Sequence, residues 1–218
     1  MNDRLHLHTP VKKIETVIFD YGGVLLNLNP DKCRAAFHAL GIHQIESFID
    51  RYRPKGLFYE CECGNIGQET FIRELQKLAD PPATREQIIT AYTSFLIELP
   101  LYKLKLLRKL RQKHQVFLLS NINELCYNYS KERFFTQEGL QISDYFDRQF
   151  LSYQMKICKP DPEIYERMMA ESGLTPATTL FLDDSKNNTD IADRYGINTY
   201  LVEPEENFSP LFDMPLFQ

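Results

Sequence analysis

Tryptophan is absent from the chain. So are an apolar run of membrane-spanning length, a cluster of basic residues and a framework of paired cysteines. Each absence excludes something. Lys and Arg number 25 against 30 acids, for a net charge of −5, and they are scattered. A nucleic-acid groove normally shows a basic stripe, so no nucleic-acid partner is expected. Without a span of apolar residues no membrane partner is expected either. Residues 1–13 lack a hydrophobic signal region. They read as a loosely held terminus, with His6 and His8 exposed rather than metal-bound. The cysteines are Cys33, Cys61, Cys63, Cys126 and Cys158, an odd set that argues against a secreted, disulfide-stapled protein. Cys61-Glu62-Cys63 has no second pair to complete a zinc site. Reduced thiols and a cytoplasmic location are expected.

What is present suits a globular protein with a substantial core: 218 residues, 43% apolar and 25% charged. The most informative stretch is Val17-Ile18-Phe19-Asp20-Tyr21-Gly22-Gly23-Val24-Leu25. Its β-branched and aromatic run reads as a buried strand ending on a carboxylate. Two glycines follow, which lets the backbone turn sharply and approach a ligand. In an open α/β sheet, ligands sit beyond the carboxyl ends of the strands, where Asp20 would be.

Strand signals recur at Thr16–Asp20, Gln115–Ser120, Arg148–Ser152, Thr178–Asp183 and Asn198–Val202, mostly separated by helical patterns. That alternation predicts an α/β fold, a Rossmann-like parallel sheet with helices on both faces. Between Leu28 and Pro100 no strand is predicted. Asn29-Pro30 opens a helix that Gly41 closes. A second helix is expected near Gln44–Tyr52, then an irregular stretch from Arg53 to Gly67. Phe71, Ile72, Leu75, Leu78 and Ala79 mark a third helix, which Pro81-Pro82 breaks. Thr84 and Gln87 have capping-box spacing for a fourth. These patterns place an all-helical subdomain at 29–98, inserted into a core of 14–28 and 99–204, with terminal extensions at 1–13 and 205–218. Leaving the sheet just after Asp20, the insertion should cover the strand ends like a lid. The Pro- and Phe-containing tail reads as an irregular strap on the surface.

Four short stretches lie at a strand end or a helix start: Asp20-Tyr21-Gly22-Gly23, Ser120-Asn121, Lys159-Pro160-Asp161-Pro162, and Asp183-Asp184-Ser185 with Asn188. Neighbouring parallel strands would bring them together as carboxylates, a hydroxyl, an amide and an ammonium. A phosphoryl group needs that set. A carboxylate can attack phosphorus, Mg²⁺ takes hard oxygen ligands, and hydroxyl, N–H and Lys donors stabilise charge on the remaining oxygens. Singly, each has a plainer reading. Ser120-Asn121 could cap a helix beginning near Ile122, and Asp161-Pro162 is a helix start. Four such coincidences in this order favour chemistry.

The motifs and their order resemble the haloacid dehalogenase-like (HAD) hydrolase superfamily over about residues 14–202, and the insertion resembles that family's helical cap. The resemblance implies that Asp20 is the nucleophile, that Ser120 and Asn121 bind the transferred group, and that Lys159 is the catalytic lysine. It makes Asp184 a magnesium ligand beside Asp20 and the Gly22 carbonyl, with Asp183 and Asn188 in support. Where the family often has Gly three residues before that lysine, this chain has Lys156; the following Pro160 favours Lys159. The variant Asp-x-Gly-Gly-Val is similar to the branch of epoxide hydrolase N-terminal phosphatases and sugar-1-phosphate phosphatases. The implied activity is Mg²⁺-dependent hydrolysis of a small phosphorylated metabolite through an aspartyl-phosphate.

One departure matters. HAD phosphatases usually carry a second Asp two residues after the nucleophile, which protonates the leaving oxygen; here that residue is Gly22. A positioned general acid is worth about 10²–10⁴-fold. Either another group substitutes, with Glu60 and Glu62 as candidates whose plainer roles are surface or capping, or the leaving group is good, as in a sugar 1-phosphate. The rivals are a metal-independent 2-haloacid dehalogenase, which also omits that Asp, and a non-catalytic binding or regulatory module on the same scaffold. The paired acids Asp183-Asp184 favour the phosphatase.

Overall fold

The computed structural model describes residues 4–8, 11–47 and 56–218. Its strands are β1 (Leu5–His6), β2 (Thr16–Phe19), β3 (Asn27–Leu28), β4 (Leu96–Glu98), β5 (Gln115–Ser120), β6 (Arg148–Leu151), β7 (Thr179–Asp183) and β8 (Asn198–Leu201). Its helices are α1 (Pro30–His38), α2 (Leu57–Glu62), α3 (Gln68–Leu78), α4 (Arg85–Thr93), α5 (Leu101–Leu110), α6 (Glu124–Arg133), α7 (Ser152–Met155), α8 (Pro162–Ser172) and α9 (Lys186–Arg194).

Six strands form one sheet in the order β1-β8-β7-β2-β5-β6. All its pairs are parallel except β1 with β8. The central strands alternate between two apolar layers. Val17, Phe19, Val116, Leu118, Leu180 and Leu182 join one buried cluster with Leu104 and Leu107 of α5. Ile18, Phe117, Leu119 and Phe181 join the other, with Ile164 and Met168 of α8 and Ala192 of α9. A period of two with both faces buried leaves no polar side, which is why these strands read as continuous apolar runs. β2, the strand of Asp20, is central, between β5 and β7.

Several local expectations hold. Asn29 caps α1 by accepting from Asp31 N, with Pro30 at its first position. Both bonds of the Thr84–Gln87 capping box are present. Others need correcting. β4, paired antiparallel with β3, stands between Leu28 and Pro100, where no strand was predicted; a strand this short carries no periodicity. Part of the expected irregular stretch is α2, six residues anchored by buried Phe58 and Cys61. A 3₁₀ turn covers His43–Ser47, and the rest of the helix expected there lies outside the described residues. The N-terminal segment contributes β1, held also by Arg4 Nη1 donating to Glu206 at 2.7 Å. The tail is more than a surface strap. Phe208, Phe212 and Phe217 are buried, the first two against Phe19.

The thiols are not all reduced. Cys63 and Cys158 form a disulfide with Cα atoms 5.4 Å apart, while Cys33, Cys61 and Cys126 are free and buried. A sequence separation of 95 residues hid the pairing. Among the described residues no helix is long and apolar enough to cross a membrane.

Candidate active site

The carboxyl ends of β2, β5 and β7 deliver Asp20, Ser120 and Asp183 to one edge of the sheet. Asp20 N donates to Leu182 O at 2.9 Å, which registers the residue beyond the end of its strand. The chain then turns through Gly23, whose φ of 84° requires glycine. Lys103 of α5 is buried and donates to Val24 O at 2.6 Å, pinning that turn from below.

Lys159 organises the charges. Its ammonium lies 2.8 Å from Asp20 Oδ1 and 2.7 Å from Asp183 Oδ2, and donates to Leu119 O at 2.9 Å. Burial works against its charge, but Asp183 and Asp20 more than offset that, and its pKa is held above the ordinary value. Lys159 itself is fixed from the neighbouring strand end. Its N–H donates to Asn121 Oδ1 at 2.7 Å, and Asn121 Nδ2 donates to Lys159 O at 2.8 Å. The cap of α6 falls to Asn123, whose side chain accepts from Cys126 N. Ser120 and Asn121 are therefore not spent on capping. Asp161 caps α8, as its Pro162 neighbour suggested.

Asp183 is fully buried and saturated. Besides Lys159 it accepts from Ser185 N at 2.8 Å, and Asn188 Nδ2 donates to its two oxygens at 3.0 and 3.1 Å. It is a positioning group behind the site. Burial raises the Asp20 carboxyl to about 7; Lys159 opposes the rise, and Asp183 and Asp184 add to it. Carboxylate oxygens of Asp20, Asp183 and Asp184 lie within 4.8 Å of one another, hard donors of the kind Mg²⁺ accepts. With Asp183 already saturated by hydrogen bonds, Asp20 and Asp184 are the carboxylates that could hold such an ion. The residues fit magnesium.

A cavity of about 170 Å³ opens on this edge, lined by Asp20, Gly22, Ser120, Asn121, Lys159, Asp184 and Asn188 among others. Every site residue expected from the sequence is thus at the cavity, except Asp183 behind it. The segment between β3 and β4, with Leu96 at the start of β4, adds mostly apolar lining: Phe58, Tyr92, Phe95 and Leu96. Glu62, at the end of α2, is the one acid in that lining. Glu62 is half-buried overall and lines the cavity. Burial first, and the charge of Asp20 second, push it up to about 8. Glu60 is elsewhere, accepting from Asn65 Nδ2 at 2.8 Å. The sequence did not separate these two acids; a short helix turning Phe58, Cys61 and Glu62 inward does. At Gly22 an added Cβ would meet Leu28 Cδ1 at 3.1 Å, close enough that the Leu28 side chain would have to shift slightly.

A family model of haloacid dehalogenase-like hydrolases matches residues 14–195. The chain belongs to this HAD family. It is 35% identical over 190 residues to the D-ribitol-5-phosphate phosphatase of Bacteroides thetaiotaomicron, covering 87% of this chain and 92% of the relative. The solved structure of the HAD family enzyme bt-2542 from Bacteroides thetaiotaomicron, in complex with magnesium and inorganic phosphate, superposes with a TM-score of 0.86 at 36% identity, over 91% of this chain and 99% of that one. A defluorinating L-2-haloacid dehalogenase, at 15% identity and TM-score 0.58, covers 94% of this chain and 90% of its own and shares the fold alone. The HAD resemblance and the Rossmann-like α/β class read from the sequence therefore stand, and the chain is a HAD hydrolase. Its usual glycine before the motif lysine has a structural reason: Lys156 adopts a left-handed φ of 61°.

Proposed function

We propose that this protein is a magnesium-dependent phosphatase whose substrate is the phosphomonoester of a small polyhydroxylated metabolite. The observation that carries the reading is the buried chain Asp20–Lys159–Asp183 at the mouth of a cavity, with Asp184 close by. Asp20 is the nucleophile. Lys159 holds Oδ1, which leaves Oδ2 for the attack on phosphorus. Ser120, Asn121 and Lys159 bind the transferred group. Asp20, Asp184 and the Gly22 carbonyl would hold Mg²⁺, which would supply positive charge to the phosphate oxygens. Residues 29–98 form the cap and 14–28 with 99–204 the core, so the apolar wall excludes water from the reaction.

The D-ribitol-5-phosphate phosphatase relative acts on an open-chain polyol phosphate, which favours a polyol phosphate over a sugar 1-phosphate. The dehalogenase alternative needs no metal, yet here a second acid raises the nucleophile's cost of ionisation. The free, buried thiols support a cytoplasmic location, with Cys63–Cys158 as an exceptional bridge.

A screen of sugar, polyol and aryl phosphates with and without Mg²⁺, beside Asp20→Asn, tests the reading. Metal-dependent phosphate release that the variant lacks is expected. Full activity in Asp20→Asn, or metal-independent halide release from 2-haloacids, would overturn it.

A further inference from the structure

We propose that Glu62 is the proton-transfer residue for the leaving oxygen, supplied from the cap to replace the carboxylate that Gly22 cannot provide. The proposal rests on the phosphatase reading above. Four observations meet in Glu62. It lines the same cavity as Asp20, Ser120 and Lys159. Among the described residues no group hydrogen-bonds its carboxyl, and the aromatic rings of Phe58 and Tyr92 line the same cavity. An acid in that setting is costly unless a ligand partners it, and burial favours its protonated form. Two residues after Asp20 the core offers no acid, since that residue is Gly22, and Lys159 is committed to two carboxylates and a carbonyl.

The fourth observation is a clamp. The turn that carries Glu62 is fastened to the core beside the catalytic lysine. Ser152 Oγ donates to Glu62 O at 2.6 Å, and Lys156 Nζ donates to Gly64 O. The Cys63–Cys158 disulfide ties the next residue in the cap to the residue before Lys159. Gly64, at φ 66°, packs so closely that a Cβ would lie 2.1 Å from Tyr153 O. A cap that only covered the site would not need its acid referenced so tightly to Lys159.

The chemistry balances. As an Asp20 oxygen bonds to phosphorus, the bond from phosphorus to the substrate oxygen breaks. The Glu62 proton passes to that oxygen, giving an alcohol, an aspartyl-phosphate and a Glu62 carboxylate. The carboxylate then takes a proton from the water that attacks phosphorus. Inorganic phosphate leaves, and Asp20 carboxylate and protonated Glu62 are restored.

Leaving-group dependence tests this, because kcat/KM reports the steps through transfer to Asp20. A primary alkoxide needs a proton and p-nitrophenolate does not. Glu62→Gln should lower kcat/KM about 10²–10⁴-fold on a polyol 5-phosphate and less than about 10-fold on p-nitrophenyl phosphate. Equal losses on both esters, or none on the polyol phosphate, would overturn the proposal. If Glu62→Gln fails to fold, wild-type enzyme decides across alkyl and aryl phosphates of graded leaving-group acidity. A shallow dependence supports a proton donor and a steep one refutes it. Wild-type enzyme inactive on every phosphate ester would instead strike down the phosphatase reading, and this role with it.

Discussion

The two walls of the cavity are built on opposite plans. On the core wall the two fully buried charges are spoken for: Asp183 takes bonds from Lys159, Ser185 and Asn188, and Lys159 bonds three acceptors. On the cap wall the side chains are aromatic or aliphatic, and the single acid, Glu62, has no partner among the described residues. A saturated network fixes geometry and cannot adapt. An unpartnered acid in an apolar wall awaits a ligand. The division suggests that phosphorus is handled by the core, whose motifs place the chain in its family, and the leaving group by the cap.

The comparison can be broken from the core side first. Asp20→Asn keeps the shape and removes the nucleophile, so phosphate release should fall by at least about 10³-fold. Next is the Glu62→Gln loss, selective for alkyl esters. If the aryl ester suffered equally, the two walls would not divide the work. Lys159→Met leaves two buried carboxylates without their counter-ion. Removing one partner of a buried charge pair costs about 3–5 kcal/mol, measurable as a lower denaturation midpoint in the metal-free protein. Unchanged stability would mean that the core network is not the rigid half.

Smaller effects sharpen the contrast. The Cys63–Cys158 bridge closes a long loop between cap and core. Cys63→Ser, or reduction, should lower stability by about 2–4 kcal/mol, and the activity of the reduced enzyme reads how far the remaining contacts hold Glu62. The metal-free protein should also respond to pH. Asp20 and Glu62 are both raised, to about 7 and about 8, so the folded state holds protons that the unfolded chain loses near pH 4. Their contribution is fully present below that pH and is lost as pH rises through the folded values. Mg²⁺ should therefore raise the unfolding temperature more at pH 8 than at pH 5. Equal protection at both would contradict the assignment of Asp20 as a ligand.

Much of this was legible because the informative signals are local. The β2, β5 and β7 strands are apolar runs buried on both faces, and their ends carry Asp20, Ser120 and Asp183 within a residue of the strand signal. Capping by Asn29, Thr84 and Asp161 is likewise written in adjacent residues. What stayed hidden depends on docking. α2 is too short to show a period, and β3 and β4 exist only as each other's partner. Glu62 and Glu60 differ only in which way the docked helix turns them. Cys63 meets Cys158 only after the cap is seated. The departure at Lys156 was visible, but its left-handed backbone and its bond to Gly64 were not.

The central claim is that Asp20 carries the phosphoryl group between substrate and water. Acid quenching during turnover of p-nitrophenyl phosphate, in wild type and in Glu62→Gln, followed by peptide mass mapping, tests it most directly. The expected result is one added phosphoryl group on the peptide containing Asp20, accumulating in Glu62→Gln, where water lacks its base. Turnover with no adduct in either protein, or an adduct mapped to another residue, would contradict it.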